Sequence, residues 1–380
     1  MSFQRAARAA LAGKRRACWF LVAVTICLTV LSASCGNSSH SSSASHNAYV
    51  TFPTKGSVGL LHLNDSTGVL SLGAQTPSVL GTSPTGIALD SAKKFLYVGN
   101  TDPNANSVSI FTVAGDGTLT QTGEATMIGA SPRSLAIDAT GKYLLITTNF
   151  APNQLLVFSL DAGSGAMTQL GTFAANTSPG DLKISPTSNF VYISNSDVGL
   201  ITAYSLDSNT GNLNPIPGSP FPAGLGVSGL AIDPGSNFLF AANHSANTVS
   251  VFNINSNTGA LAPIPGSPYG LGTATGPRAL ATDPSGAFLY IANQDSGNVS
   301  AFTIMAGTGQ LTAITGSPFS AGTQPLFVVA EPAGQFIYVG NQKSTNVSGY
   351  TFDPTTGKLT AISGSPFTVG SEPGGMLITH

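Results

Sequence analysis

The chain is poor in charge, in cysteine and in histidine, and each shortage closes off a class of function. Only 8% of its 380 residues are Asp, Glu, Lys or Arg. Nucleic-acid binding needs clustered cations to neutralise phosphates, and beyond residue 35 no such cluster occurs; nor does a polybasic stretch suited to an anionic membrane surface. All three cysteines, Cys18, Cys27 and Cys35, lie in the first 35 residues, so the rest of the chain holds neither a disulfide nor a thiolate metal site. The five histidines make no pair with carboxylates at metal-ligand spacing. A GxSxG nucleophile elbow and a GxxxxGK[ST] phosphate loop are also missing. No metal and no cofactor is therefore expected. Helical periodicity of any length is absent after Leu31, which removes the helical and α/β classes.

What is present begins with a targeting segment. Arg5, Arg8, Lys14, Arg15 and Arg16 precede an apolar run from Trp19 to Leu31, too short for the roughly 20 residues of a membrane-spanning helix. A basic start, a short apolar core and small residues after it read as a secretory signal over residues 1–35. Leu31-Ser32-Ala33-Ser34-Cys35 resembles a bacterial lipoprotein cleavage box, which makes Cys35 the expected lipidation site. Cleavage there removes five of the fourteen basic residues and leaves nine against sixteen acidic ones, a net charge of −7. Residues 36–47 are Ser-rich and read as a flexible tether, with a folded domain over 48–380. The expected location is the bacterial cell envelope, with membrane contact only through the anchor, or, if cleavage is by an ordinary signal peptidase with no lipid, the periplasm or the cell exterior.

A repeat of roughly 48 residues organises that domain. Its clearest phrase is an aromatic, β-branched run: AYVTF (48–52), FLYVGN (95–100), YLLITT (143–148), FVYISN (190–195), FLFAAN (238–243), FLYIAN (288–293) and FIYVGN (336–341). Such runs suit buried strands. About 20 residues after each comes a glycine turn, from Asp65-Ser-Thr-Gly68 to Thr355-Thr-Gly357, with an apolar residue two places beyond the glycine. A proline opens each unit at Pro84, Pro132, Pro179, Pro277, Pro325 and Pro373, with Val227 the one departure; proline can start a strand without losing a ladder bond. In the sixth unit the spacing predicts strands over 279–282, 287–293, 299–304 and 310–314. Units of four strands at this period define an all-β, seven-bladed β-propeller with antiparallel blades. The chain enters on a second strand and ends in Gly374-Gly-Met-Leu-Ile-Thr379, which aligns with an innermost strand. The C-terminal strand is thus expected to complete the first blade and close the ring.

Propeller geometry brings the residues after each opening proline to one mouth of the central channel. Arg133 and Arg278, the only arginines beyond residue 35, stand there three blades apart with Asp181. Guanidinium groups at that place suit a carboxylate or phosphate; the structural alternative pairs them with Asp181 or with loop carbonyls. His244 follows a second strand on the same face and completes the candidate catalytic set Arg133, Asp181, Arg278 and His244. His62 lies within a strand and reads as a packing residue. The recurring aromatics read as packing between blades. The GSPF and GSPY phrases at 218–221, 266–269, 316–319 and 364–367 are placed in loops, their aromatics plugging the rim or contacting a sugar or peptide.

The phrases FLYVGN, FLYIAN, GPRALATDPSGAFLYIAN and NTGAL resemble those of the seven-bladed lactonase and YVTN-type propellers over nearly all of 48–380. The resemblance implies a fold shared with 6-phosphogluconolactonases, which hydrolyse a phosphorylated sugar lactone, with lactone-forming cyclases and with exported surface proteins of no known reaction. In the enzymes of this family the opening phrase often reads Pro-Arg-His or Pro-His-His. Arg133 and Arg278 match the arginine, while Ser134 and Ala279 stand where histidine would be. Three functions follow. The first is a monomeric binding or scaffold module whose channel mouth takes a small anion, a carbohydrate or lactone, or a protein partner. The alternative is a lactonase-like hydrolase with Asp181 or His244 activating water, and the third reading is a structural envelope or adhesion protein.

Overall fold

The structure, a computed structural model, describes residues 45–76, 83–102, 106–149 and 153–379. The secretory segment, Cys35 and the tether up to residue 44 lie outside the described residues. Among those described there is no helix, and none long and apolar enough to cross a membrane. Strands form seven antiparallel sheets. In the sixth blade the order outward from the axis is Pro277–Thr282, Phe288–Asn293, Asn298–Ile304 and Leu311–Ala313, within two residues of the predicted bounds. The seven-bladed propeller is therefore the architecture.

The ring closes as the repeat implies. Gly375–Ile378 pairs with the first strand, Ser45–Phe52, in the register Thr51 opposite Gly375 to Ala48 opposite Ile378. The Thr379 amide donates to the Asn47 carbonyl at 2.8 Å, extending the ladder. The first strand starts three residues before the sequence boundary. Ser45, His46 and Asn47 oppose Asn64, Leu63 and His62, and the His46 ring and the Asp65 carboxylate lie 2.7 Å apart. Residues 45–47, expected in the tether, thus belong to the blade.

The core consists of seven apolar clusters, one between each pair of neighbouring blades. One joins Phe288, Tyr290 and Ile314 of the sixth blade to Ile337, Val339 and Phe352 of the seventh. Another joins Phe336 and Tyr338 of the seventh to Val50, Phe52 and Met376 of the first. Each fully buried aromatic contributes roughly 1.5–3 kcal/mol, so the strand aromatics act as packing between blades. They also lock neighbours by hydrogen bonds. The hydroxyls of Tyr49, Tyr97, Tyr192, Tyr290 and Tyr338 donate to the glycine carbonyls of the next blade's turn, at Gly117, Gly165, Gly259, Gly357 and Gly68, over 2.7–2.9 Å. The last of these crosses the closure. Burial pushes these phenols up, Tyr49 to about 12 with Asp116 adding to the effect, so they stay protonated donors across the ordinary pH range.

The GSPF and GSPY phrases are not free loops. The outer strand runs unbroken, with a bulge, in the first and third blades (Leu70–Gln75, Met167–Ala174). In the last four blades it is cut in two, and the phrase aromatics begin a short second segment that pairs with the third strand, as Phe319 does with Val299. At the cut, the serine hydroxyl takes the place of a ladder carbonyl: the Ala301 amide donates to Ser317 Oγ at 2.9 Å, and Ser219, Ser267 and Ser365 do the same. The aromatics then fill the inter-blade clusters, Phe221 and Phe367 being buried, rather than forming a ligand-facing ring.

Removing residues 373–380 strips the first blade of its inner strand and exposes the edge of Ser45–Phe52. We expect loss of at least about 4 kcal/mol and a melting temperature lower by roughly 10 °C. Differential scanning calorimetry checks this, and an unchanged melting curve would refute closure by pairing of the chain ends.

Candidate functional site at the channel mouth

Six of the seven inner strands begin with an irregularity that decides where their side chains go. Pro277 opposes Asn293 and Ala279 opposes Ala292, so Arg278 is an extra residue with no partner. Arg133 is the extra residue between Pro132 and Ser134 in the same way. Matching register shifts follow Pro84, Pro179, Val227 and Pro325. A β-bulge kinks the strand and re-aims the extra side chain. Here it turns the residue after the proline into the mouth of the channel.

Both arginines line one cavity of about 640 Å³. Its wall is lopsided. Lys183 and Asp181 stand on the fourth blade between the two arginines, while Leu326, Phe327 and Met376 make the opposite side apolar. Three cations against one carboxylate give the cavity a net charge of +2. Lys183 was not singled out in the sequence. The signal was available, because period-two alternation puts it on the same face as Asp181, with Leu182 between them turned into the core.

Asp181 is fully engaged by its surroundings. One carboxylate oxygen accepts from Lys183 Nζ at 3.0 Å, from the Leu182 amide at 2.9 Å and from the Ser134 hydroxyl at 3.3 Å. The other accepts from the Leu230 amide of the next blade at 3.0 Å. The pairing of an arginine with Asp181, set out above as the structural alternative, does not occur. Neither guanidinium makes an ion pair or a side-chain hydrogen bond among the described residues. Burial lowers the Arg133 pKa, opposed by the Asp181 carboxylate. Arg278 is brought down to about 10, by burial first and by the Arg133 charge second, again opposed by Asp181. The two cations are thus close enough to disfavour each other, and both stay charged at neutral pH.

His244 is placed elsewhere. It lines a second, rim cavity of about 540 Å³, which shares Ser228, Arg278 and Gln294 with the channel. Its Nε2 lies 3.7 Å from an Asp295 carboxylate oxygen. His62 points to Asn47, with Nδ1 3.1 Å from Oδ1, within the first blade. Gln294 and Gln342 also reach the channel cavity; they directly follow the asparagines that end the second strands, as His244 does, and that shared position marks a second ring around the mouth. No group of three metal-ligating side chains occurs among the described residues.

Fold and mouth together define a seven-bladed propeller with a cationic channel entrance. A family model described as "Lactonase, 7-bladed beta-propeller" matches residues 40–172, 146–224, 214–329 and 317–373, and the chain belongs to that family. It is similar in fold to a proposed 6-phosphogluconolactonase from Bacteroides fragilis (TM-score 0.79, 19% identity, 90% of this chain and 99% of that one). A second, from Bacteroides uniformis, gives 0.77 and 17%, covering 88% and 99%. A periplasmic gluconolactonase of Pseudomonas aeruginosa gives 0.75 and 18%, covering 89% and 99%. Among curated proteins, none matches the sequence.

Two variants separate the structural carboxylate from the unpaired cations. Asp181→Ala leaves the buried Leu230 amide without an acceptor and Lys183 without a partner, at an expected cost of about 2–3 kcal/mol. Arg278→Met removes a desolvated charge and should leave stability unchanged or raised. Urea unfolding at pH 7 measures both; equal destabilisation would mean that Arg278 is structurally paired.

Proposed function

We propose that the protein is an exported lactone hydrolase acting on a sugar lactone at the channel mouth. The observation that carries this is the pair of arginines on bulges of the third and sixth blades, both lining one cavity and neither neutralised by a partner among the described residues. Membership of the lactonase family supports the same reading. Hydrolysis of a lactone adds water to the ester carbonyl, passes through a tetrahedral oxyanion, and releases the ring oxygen as a hydroxyl and the acyl group as a carboxylate. A guanidinium in a poorly solvated site stabilises that oxyanion far better than water does, and the second holds the anionic substituent or the carboxylate product. With Asp181 engaged, the attacking species in this reading is hydroxide drawn from solvent. Export rests on the basic and apolar segment over 1–35, with Cys35 as the proposed lipid attachment, and a periplasmic relative of the same fold is consistent with it.

One observation favours binding without turnover. The sole carboxylate in the cavity wall among the described residues, Asp181, has both oxygens occupied and is not free to activate water, so a sugar acid or lactone would be retained rather than converted.

Purified protein should accelerate opening of D-glucono-1,5-lactone and its 6-phosphate, followed by proton release in weak buffer. Arg133→Ala and Arg278→Ala should each lower kcat/KM about 10²–10³-fold, as loss of an oxyanion donor does. Retention of gluconate in calorimetry with no acceleration of either lactone would replace the hydrolase by the binding module.

The pH dependence follows from the charge that must be present. The cationic form of Arg278 binds the anion, and its pKa is brought down to about 10. Gluconate affinity should therefore hold from pH 6 to 8 and fall as the pH passes through about 10. Calorimetric titration across that range checks this; an affinity that vanishes near pH 6.5 would assign the anion to a histidine instead.

A further inference from the structure

One blade breaks the repeat at the mouth, and the break builds something. Five of the inner strands that follow a register shift open with proline, whereas the fifth blade has Val227. The Val227 amide donates to the Gly224 carbonyl at 3.2 Å, a bond that proline cannot make. It closes a tight turn over residues 224–227, in which Gly226 takes φ of +71°, a conformation suited to glycine at the third position of such a turn. The residue lifted to the tip is Leu225, 70% exposed. It lies on the rim cavity beside Arg278, with Asp197, Ser245 and Gln294. The Gln294 amide and the Ser245 hydroxyl have no side-chain hydrogen-bond partner among the described residues.

We propose that this rim cavity is a second subsite, which takes a neutral sugar unit joined to the lactone held in the channel. The inference rests on the lactone reading above and names its substrate class, the lactone of a disaccharide-derived aldonic acid. Arg278, Gln294 and Ser228 line both cavities, so a ligand passes from one to the other without leaving the wall. Charge sorts its two ends. The channel carries the surplus of cations, whereas the rim sets Asp197 beside the shared arginine, and Asp295 stands near His244. The oxyanion and the carboxylate product that form from the lactone are thus favoured in the channel and an uncharged ring at the rim. A pyranose has an apolar face to lay on Leu225 and hydroxyls for the Asp197 carboxylate, the Gln294 amide and the Ser245 hydroxyl.

The test compares D-glucono-1,5-lactone with cellobiono-1,5-lactone on the full-length protein. The disaccharide lactone should show kcat/KM at least ~10-fold higher, the lower end of what one added apolar contact gives. Leu225→Asp, at an exposed tip, should bring it to parity while the monosaccharide lactone is turned over as before. Ser245→Trp, which fills the cavity, should do the same. Equal rates for the two lactones in the wild type, or a loss for both in the variants, would overturn the subsite. If neither lactone is hydrolysed, the hydrolase reading fails and the subsite is still decided by calorimetry with the two acids. Tighter binding of cellobionate than gluconate, abolished by Leu225→Asp, upholds it; equal binding overturns it.

Discussion

Seven inner strands share one narrow axis, and their close approach governs everything at the mouth. A Cβ at Gly229 would lie 2.6 Å from the Arg278 carbonyl oxygen, so that strand has no room for a side chain facing its neighbour. Hydroxyls fill the gaps that remain. Ser228 donates to the Pro277 and Arg278 carbonyls, Thr85 to Pro132, and Ser194 to Ser228. Packed this tightly, an inner strand turns the residue after its opening position into the mouth where its register slips, while Lys183, paired in register with Tyr192, reaches the channel by alternation. The bulge after the opening residue of the second to seventh blades is that place, and it is where the arginines stand.

The same constraint separates two kinds of charge. Asp181 joins its own strand to the next blade through the Leu230 amide, and its charge is matched by Lys183. It stabilises the ring. Arg133 and Arg278 receive no comparable compensation, and burial acts against both. Unpaired, partly buried cations cost stability, and the blade interfaces, with their aromatic clusters and tyrosine locks, supply ample margin to offset that cost. Groups kept at a structural loss are expected at functional sites.

The repeat and its closure were legible because both follow from local pattern: aromatic strands at a fixed period, and a C-terminal phrase that aligns with an inner strand. Arg133, Asp181 and Arg278 were placed at one mouth by the same counting. What was not legible depends on partners distant in sequence. Ser45–Asn47 carries no strand-forming run, and it is held by pairing with 62–64 and by the contact of His46 with Asp65. The serine of the GSPF phrase reads as a turn residue, because its service as a substitute acceptor appears only once the third strand lies beside it. The state of Asp181 could not be read at all, since two of its donors, the Ser134 hydroxyl and the Leu230 amide, belong to neighbouring blades.

Departures from the repeat then carry more functional information than the repeat does. In a ring of near-identical blades, any residue serving packing alone should recur, as the strand tyrosines and turn glycines do. Arginine after the opening residue occurs in two blades, and the Gly-Asp pair in one. Valine in place of proline also occurs once, and it brings the turn that carries Leu225. These departures fall on the third to sixth blades, and the channel cations and the rim cavity lie along that arc. The opposite arc, where Leu326 and Gly374-Gly375 face the channel, offers no side-chain charge among the described residues. In the reading proposed above, a ligand at this mouth is held from one side, with its oxyanion or carboxylate between the arginines and its uncharged part toward the break in the pattern.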